Sequence, residues 1–237
     1  MRGKPIAVSS IMVAAALAAS GCSVSDNNPN LIAGKQLFVS KCGSCHTLAR
    51  AGSKGNVGPN LDEAFQRAKV DGLGDDAIRG VVKKQIEYPS RPGYAGQGIM
   101  PAKLVTGDDA ANIAAYVAAS VGKKGQDTGL LATAVKAPGS GKPAVAAGGV
   151  LKIDADPSGQ LAYTETKASA PAGPITIELD NTSGVPHNIA IAGVGKSPVI
   201  PKGKSVFKAT LKPGTYTYFC EVPGHEAAGM KGTLTVK

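Results

Sequence analysis

The sequence predicts two small domains of different class, an all-α unit followed by an all-β Greek-key sandwich. Three observations predict it: helical patterning through residues 31–121, apolar–polar alternation through residues 150–237, and between them a stretch with seven Gly, two Pro, four Lys and no aromatic. The 237 residues leave room for two modest cores. Six Tyr, four Phe and no Trp keep those cores small, while 31 Gly and 16 Pro supply turns. At 43% apolar residues the chain reads as neither disordered nor a multi-span membrane protein.

The net charge of +9 is spread along the chain, with +2 in residues 1–22, +2 in 23–122, +3 in 123–149 and +2 in 150–237. No basic stripe interleaved with aromatics emerges, so nucleic acid is not an expected partner.

Residues 1–21 read as a signal peptide. Arg2 and Lys4 precede an apolar run from Ile6 to Ala19, interrupted by Ser9 and Ser10. That run is shorter than the ~20 residues a bilayer span needs. Ala19-Ser20-Gly21-Cys22 resembles a bacterial lipobox, with Ala19 where Leu is commoner, and implies lipidation of Cys22. Residues 22–30 would then be a polar tether. The alternative is cleavage after Ala18, which leaves Cys22 a free thiol. On either reading the protein is expected to be exported, to the outer face of the cytoplasmic membrane or the periplasm.

Residues 31–49 read as a helix running into Cys42-Gly43-Ser44-Cys45-His46. The C-x-x-C-H spacing presents two thiols to the vinyl groups of a haem and brings the imidazole under the iron. Zinc binding or thiol redox exchange would use the same residue types. An exported chain with no further Cys in this half favours covalent haem.

With these residues the chain resembles the class I cytochrome c family over residues 31–121. Gly34 and Phe38 match the family's contact between first and last helices, with Tyr116 as the implied partner, and Gly at the crossing permits close approach. Gly58-Pro59-Asn60-Leu61 resembles the loop whose Pro carbonyl receives a hydrogen bond from the proximal imidazole, here Pro59 and His46. The resemblance implies Met100, in Gly98-Ile99-Met100-Pro101, as the second axial ligand. An isolated Met is ordinarily core filler. Met100, however, is the only Met of this domain and precedes the last helix as the family's ligand does. That helix is expected to begin near Thr106 or Asp108, with Asp108 and Asp109 in its first turn and Ile113, Tyr116 and Val117 on one face. An iron held by both His46 and Met100 has no vacant position, which favours electron transfer over oxygen or peroxide chemistry.

Residues 122–149 read as a flexible linker with a reach of roughly 30 Å. Gly139-Ser140-Gly141-Lys142 is no phosphate loop, because Pro143 stands where Ser or Thr is needed.

Beyond residue 149, short strands are expected at Leu151–Ile153, Ile175–Leu179, Asn188–Ile191, Val206–Leu211 and Thr215–Cys220, making an antiparallel sandwich. Asn181-Thr182-Ser183 forms a glycosylation triplet but reads as a turn. His187 opens one strand, and Cys220, His225 and Met230 follow as Cys-x4-His-x4-Met. A thiolate and two imidazoles with a weak axial thioether make a type 1 (blue) copper site. Zinc would accept the Cys and both His, whereas the Met suits copper better.

These motifs resemble the cupredoxin family over residues 150–237, with the spacing of its auracyanin- and plastocyanin-like members. Leu211 to Cys220, Pro223-Gly224-His225 and Pro186-His187-Asn188 carry the resemblance. It implies that the Asn188 backbone hydrogen-bonds the Cys220 sulfur and that Asn188 helps to fix the site.

The expected function is a membrane-tethered, extracytoplasmic electron shuttle with one haem c and one copper, passing single electrons between respiratory or photosynthetic complexes. The chain is not expected to be an enzyme. A copper nitrite reductase needs additional His beyond His46, His187 and His225, and a binuclear copper centre needs a second Cys beside Cys220. The alternatives are a redox subunit of a terminal oxidase or reductase complex, or a copper-delivery protein. Expected partners are membrane-bound or soluble donor and acceptor complexes, and the membrane through the lipid; the chain would be a monomer or a complex subunit.

Overall fold

The computed structural model describes residues 28–89 and 99–237. The leader, Cys22 and Gly98 lie outside the described residues. None of the described helices is long and apolar enough to cross a membrane.

In the first domain, α1 (Leu31–Lys41) starts at Asn30, whose side chain accepts hydrogen bonds from Ile32 N and Ala33 N at 3.0 Å. It ends at Lys41 rather than running on to residue 49. The N–H groups of Cys42 and Gly43 both donate to Phe38 O at 2.8 Å, which closes the helix. Residues 42–46 then form a turn, with Cys45 N and His46 N donating to Cys42 O at 3.0 and 2.9 Å. β1 (Thr47–Leu48) and β2 (Ser53–Lys54) pair around a short 3-10 turn, followed by α2 (Leu61–Ala64), α3 (Gln66–Val70), α4 (Asp75–Glu87) and α5 (Gly107–Ser120).

The α1–α5 crossing is as expected. A Cβ on Gly34 would sit 2.9 Å from Tyr116 Cβ and closer still to the Asn112 carbonyl, so only glycine fits. Phe38 and Tyr116 meet with ring centroids 6.3 Å apart. Both are buried, together with Val39, Leu48, Ile78, Ile86, Ile113 and Val117.

The second domain contains two sheets. α6 (Leu130–Thr133) precedes β3 (Ala144–Val145), β4 (Val150–Asp154), β5 (Lys167–Ala170), β6 (Gly173–Asn181), β7 (Ala190–Ile191), β8 (Gly195–Lys196), β9 (Gly203–Leu211), β10 (Gly214–Phe219), α7 (His225–Ala228) and β11 (Lys231–Val236). One sheet has the order β3-β5-β11-β10-β7-β8 and the other β4-β6-β9. The sandwich is not purely antiparallel: β4 pairs β6, β5 pairs β11 and β3 pairs β5 in parallel. The chain crosses between sheets at β5, so β4 and β6 return side by side in the same direction. The inward residues of β4 and β6 alternate as their sequences require, burying Leu151, Ile153, Ile175, Ile177 and Leu179. β7 is shorter than the strand expected at 188–191, and His187 joins Ile200 as an isolated bridge. Asn181 closes its turn by accepting from Ser183 N and Oγ, while its buried amide donates to the Val185 and Ile200 carbonyls at 2.8 and 2.9 Å.

Residues 122–149 are not the free connector that composition suggests. Asp127 accepts from Lys35 at 3.0 Å, Arg50 at 2.8 Å and the Tyr116 hydroxyl at 2.9 Å, all within the first domain. Lys35 Nζ also donates to Leu131 O at 2.7 Å, and Gln36 to Ala134 O at 3.0 Å. Downstream, Gln160 donates to Lys136 O and Gly141 N to Thr164 O, after which β3 joins the six-stranded sheet. Gly148 and Gly149, with φ of 58° and 76°, make a two-residue reversal between Ala147 and Val150.

Candidate metal centres

The first site grows from the turn that ends α1. Cys42 is buried and Cys45 is exposed. Burial, and then the neighbouring Cys45, push the Cys42 thiol up to about 12. His46 Nδ1 lies 2.9 Å from Pro59 O. A carbonyl only accepts, so Nδ1 carries the proton and Nε2 keeps the free lone pair. Gly58 lies under the ring, where a Cβ would come 2.8 Å from His46 Nδ1. Its N–H donates to Cys45 O at 2.8 Å, tying the loop to the thiol pair. Two thiols, an oriented imidazole and a loop that fixes its tautomer fit a covalently held haem. Met100 is partly buried against the core of the same domain. The segment leading into it lies outside the described residues.

The second site joins two distant strands. His187 stands three residues before β7, Cys220 directly after β10, His225 at the start of α7 and Met230 just before β11. The loop is closed by Cys220 N donating to Met230 O at 3.1 Å and Met230 N to His225 O at 2.9 Å. His187 Nδ1 and His225 Nδ1 face each other at 3.1 Å, and Cys220 Sγ lies 4.0 and 3.5 Å from them. These three donor atoms form the one cluster of three or more potential metal donors among the described residues. Cys220, His187 and Met230 are fully buried, and His225 is 8% exposed.

Electrostatics favour a cation at this point. Burial, and then His225, lower His187 to about 3, and burial also lowers His225, so both imidazoles keep their lone pairs at neutral pH. Burial raises the Cys220 thiol, opposed by backbone N–H bonds from Asn188 and Val222 to the sulfur. A thiolate here needs a bound cation to offset its desolvation. With both Nδ1 atoms turned inward, His187 Nε2 is buried without a hydrogen-bond partner. The soft sulfur with two neutral imidazoles suits copper.

The Asn188 backbone N–H meets the Cys220 sulfur. Its side chain also bridges the two ligand segments, accepting from Glu221 N at 2.9 Å and donating to Glu221 Oε2 at 2.9 Å and Ser197 O at 3.2 Å. Sequence reasoning missed Glu221, Ser197 and Tyr163, whose hydroxyl donates to Asn188 O at 2.7 Å. No spacing rule links residues 25 or 33 positions apart to a metal centre.

Residues 31–120 match the cytochrome c family and residues 152–236 the cupredoxin-like domain family. Plastocyanin of Scenedesmus fuscus is 34% identical over 99 residues, taking in 37% of this chain and 97% of that protein. Auracyanin-B of Chloroflexus aurantiacus is 33% identical over 112 residues, covering 32% of this chain and 47% of that protein, so the chain spans about half of that relative. A crystal structure of dithionite-reduced auracyanin from the photosynthetic bacterium Roseiflexus castenholzii aligns with 39% of this chain and 99% of its own, at 27% identity and a TM-score of 0.35. The chain belongs to the cupredoxins, with a cytochrome c domain ahead of the copper domain, and its two domains are built for haem c and type 1 copper.

Proposed function

We propose that this protein is an exported electron carrier, tethered to a membrane by lipid on Cys22, that relays single electrons between larger redox complexes without itself transforming a substrate. The observation that carries this reading is the buried Cys220–His187–His225 cluster, whose sulfur receives two backbone N–H bonds. When bound, haem c supplies an Fe(III)/Fe(II) couple and type 1 copper a Cu(II)/Cu(I) couple.

The chain's own residues do the rest. Cys42 and Cys45 would hold the porphyrin, and His46 and Met100 would ligate the iron. The Pro59 carbonyl holds the His46 proton at Nδ1. His187, Cys220, His225 and Met230 would hold copper. The hydrogen bonds among Asn188, Glu221 and Ser197 fix their positions, so little rearranges when the charge changes. Burial of His187, Cys220, His225 and Met230 keeps bulk water away from the copper donors.

The test is a redox titration of the haem- and copper-loaded protein, with each centre followed by its own absorption. We expect one reversible electron per centre. Cys220→Ser should abolish the intense copper–thiolate band and leave the haem bands intact. Turnover of nitrite, oxygen or peroxide by the loaded protein would overturn the carrier reading. Release of glycerolipid-modified peptide beginning at Cys22 from membranes would establish the tether, and a mature N-terminus after Ala18 would remove it.

A further inference from the structure

The copper-holding loop of this chain touches the segment that flanks the haem-holding turn. Gly224, the residue before His225, packs against the Asn56 side chain so closely that a Cβ there would come 3.2 Å from Asn56 Nδ2. Gly229, at the other end of α7, faces Lys54, with 3.9 Å from its Cβ position to Nζ. Lys54 and Asn56 flank Gly55, which lies on the backbone of the thiol turn, 2.6 Å from its Cβ position to the Cys45 carbonyl carbon. Two residues beyond Asn56, Gly58 lies beneath the His46 ring. One five-residue stretch, 54–58, thus reaches the haem-holding turn on one side and the copper-holding loop on the other.

A second contact supports the first. Gly159 of the copper domain abuts Ser40 at the end of α1, with 3.1 Å from its Cβ position to Ser40 O. Between the two contacts lies a cavity of about 400 Å³, lined by Gly43, Lys54, Gln160, Leu161, Ala228 and Gly229 from both domains. The connector then holds the domains together. Asp127, with 4% of its side chain exposed, is locked to Lys35 and Arg50 of the first domain. Ala144–Val145 is hydrogen-bonded into the sheet of the second.

We propose that residues 126–145 are a strap that docks the His225 side of the copper loop onto the Lys54–Gly58 segment, so that haem and copper exchange electrons within one chain and the His225 face is committed to this internal partner. The inference rests on the carrier reading above and adds its route. The exchange is Fe(II) + Cu(II) ⇌ Fe(III) + Cu(I), one electron moving with no bond made or broken and no proton transferred. A docked contact makes it independent of encounter between molecules. Asp127 acts here as a positioning residue through Lys35 and Arg50.

The experiment uses the full chain loaded with both groups. A flash-generated reductant places one electron on one centre, and re-equilibration is followed at the haem and copper bands over a tenfold range of protein concentration. Hydrogen exchange of residues 52–57 and 222–229 and the radius of gyration from solution scattering are measured on the same samples. We expect first-order re-equilibration independent of concentration, and protection of both segments. Asp127→Asn should slow it about tenfold or more as the strap loosens, deprotect both segments and enlarge the particle, with both absorption spectra unchanged. Asn56→Arg, a surface substitution that wedges the contact, should do the same and stands in if the Asp127 variant fails to fold. Re-equilibration proportional to protein concentration, or unprotected segments in the unmutated protein, would overturn the docking while leaving the carrier reading intact. Absence of reversible copper or haem signals would instead sink the carrier reading, and scattering and exchange would still decide whether the domains dock.

Discussion

Asn188 and Glu221 are hydrogen-bonded in both directions: the Glu221 backbone N–H donates to Asn188 Oδ1 and the Asn188 amide donates to Glu221 Oε2, each at 2.9 Å. This pair fastens the segment bearing His187 to the loop bearing Cys220. Asn188→Ala removes both bonds and leaves the part-buried Glu221 N–H without its protein partner, at about 1 kcal/mol. Copper should dissociate to a chelator faster, with affinity falling about 10- to 100-fold. Chelator competition followed at the copper–thiolate band measures this, and an unchanged off-rate would show that the pair does not brace the site.

Gly58→Ala should disturb the haem centre and spare the copper. The added methyl would push the His46 ring off Pro59 O. The haem absorption of the variant should report altered axial ligation, and its potential should shift. Identical haem spectra would mean that the loop yields without moving the ring.

Gly34→Ala should destabilise one domain selectively. The methyl meets the Asn112 carbonyl and Tyr116 where the two helices cross, an overpacking worth about 1–3 kcal/mol. For a domain of this size each kcal/mol lowers Tm by about 4–8 °C. Calorimetry with haem and copper bands as probes should show the haem domain melting earlier and the copper domain nearly unmoved.

Asp127 predicts how acid acts on the strap. Burial alone would raise its carboxyl, but hydrogen bonds from Lys35, Tyr116 and Arg50 outweigh that and bring it below the ordinary value. A carboxyl lowered by folding stabilises fully above its unfolded value, about 3.9, and that stabilisation is lost as pH falls through the folded value. Hydrogen exchange along residues 128–134, corrected for intrinsic rates, should show the strap docked at pH 6 and released only in strong acid. In Asp127→Asn that pH dependence should vanish. Removing the acceptor as well as the charge in Asp127→Ala strands Lys35 and Arg50, at a cost of about 3 kcal/mol.

Much of this was legible in the sequence because the informative residues are scarce and their spacing is set by chemistry. Two thiols three residues apart beside an imidazole, or a thiol, imidazole and thioether at intervals of five, can be recognised without knowing the fold. The Gly34–Tyr116 crossing and the His46–Pro59 bond came the same way, through motif resemblance. Three features did not. The end of α1 at Lys41 depends on which carbonyl the Cys42 and Gly43 amides choose, and helical patterning through residue 49 cannot see that. The parallel pairings arise from chain crossings between sheets, which alternation along one strand does not encode. The connector was misread because Gly, Lys and Pro signal flexibility only when nothing answers them. Here Asp127 finds two cations and a hydroxyl, and Gly148-Gly149 makes a tight reversal rather than a hinge.

The position of β3 decides where this protein can be divided. Ala144–Val145 covers the outer edge of β5, which otherwise ends the six-stranded sheet. A copper domain severed at residue 150, the boundary that composition suggests, would expose the β5 backbone as an open template for a second molecule. The natural cut falls upstream of Gly139, where the chain has left the cytochrome domain but has not yet begun to seal the sheet. What looks like spacer between the two redox units is, over its last ten residues, the rim that closes part of one sheet's edge.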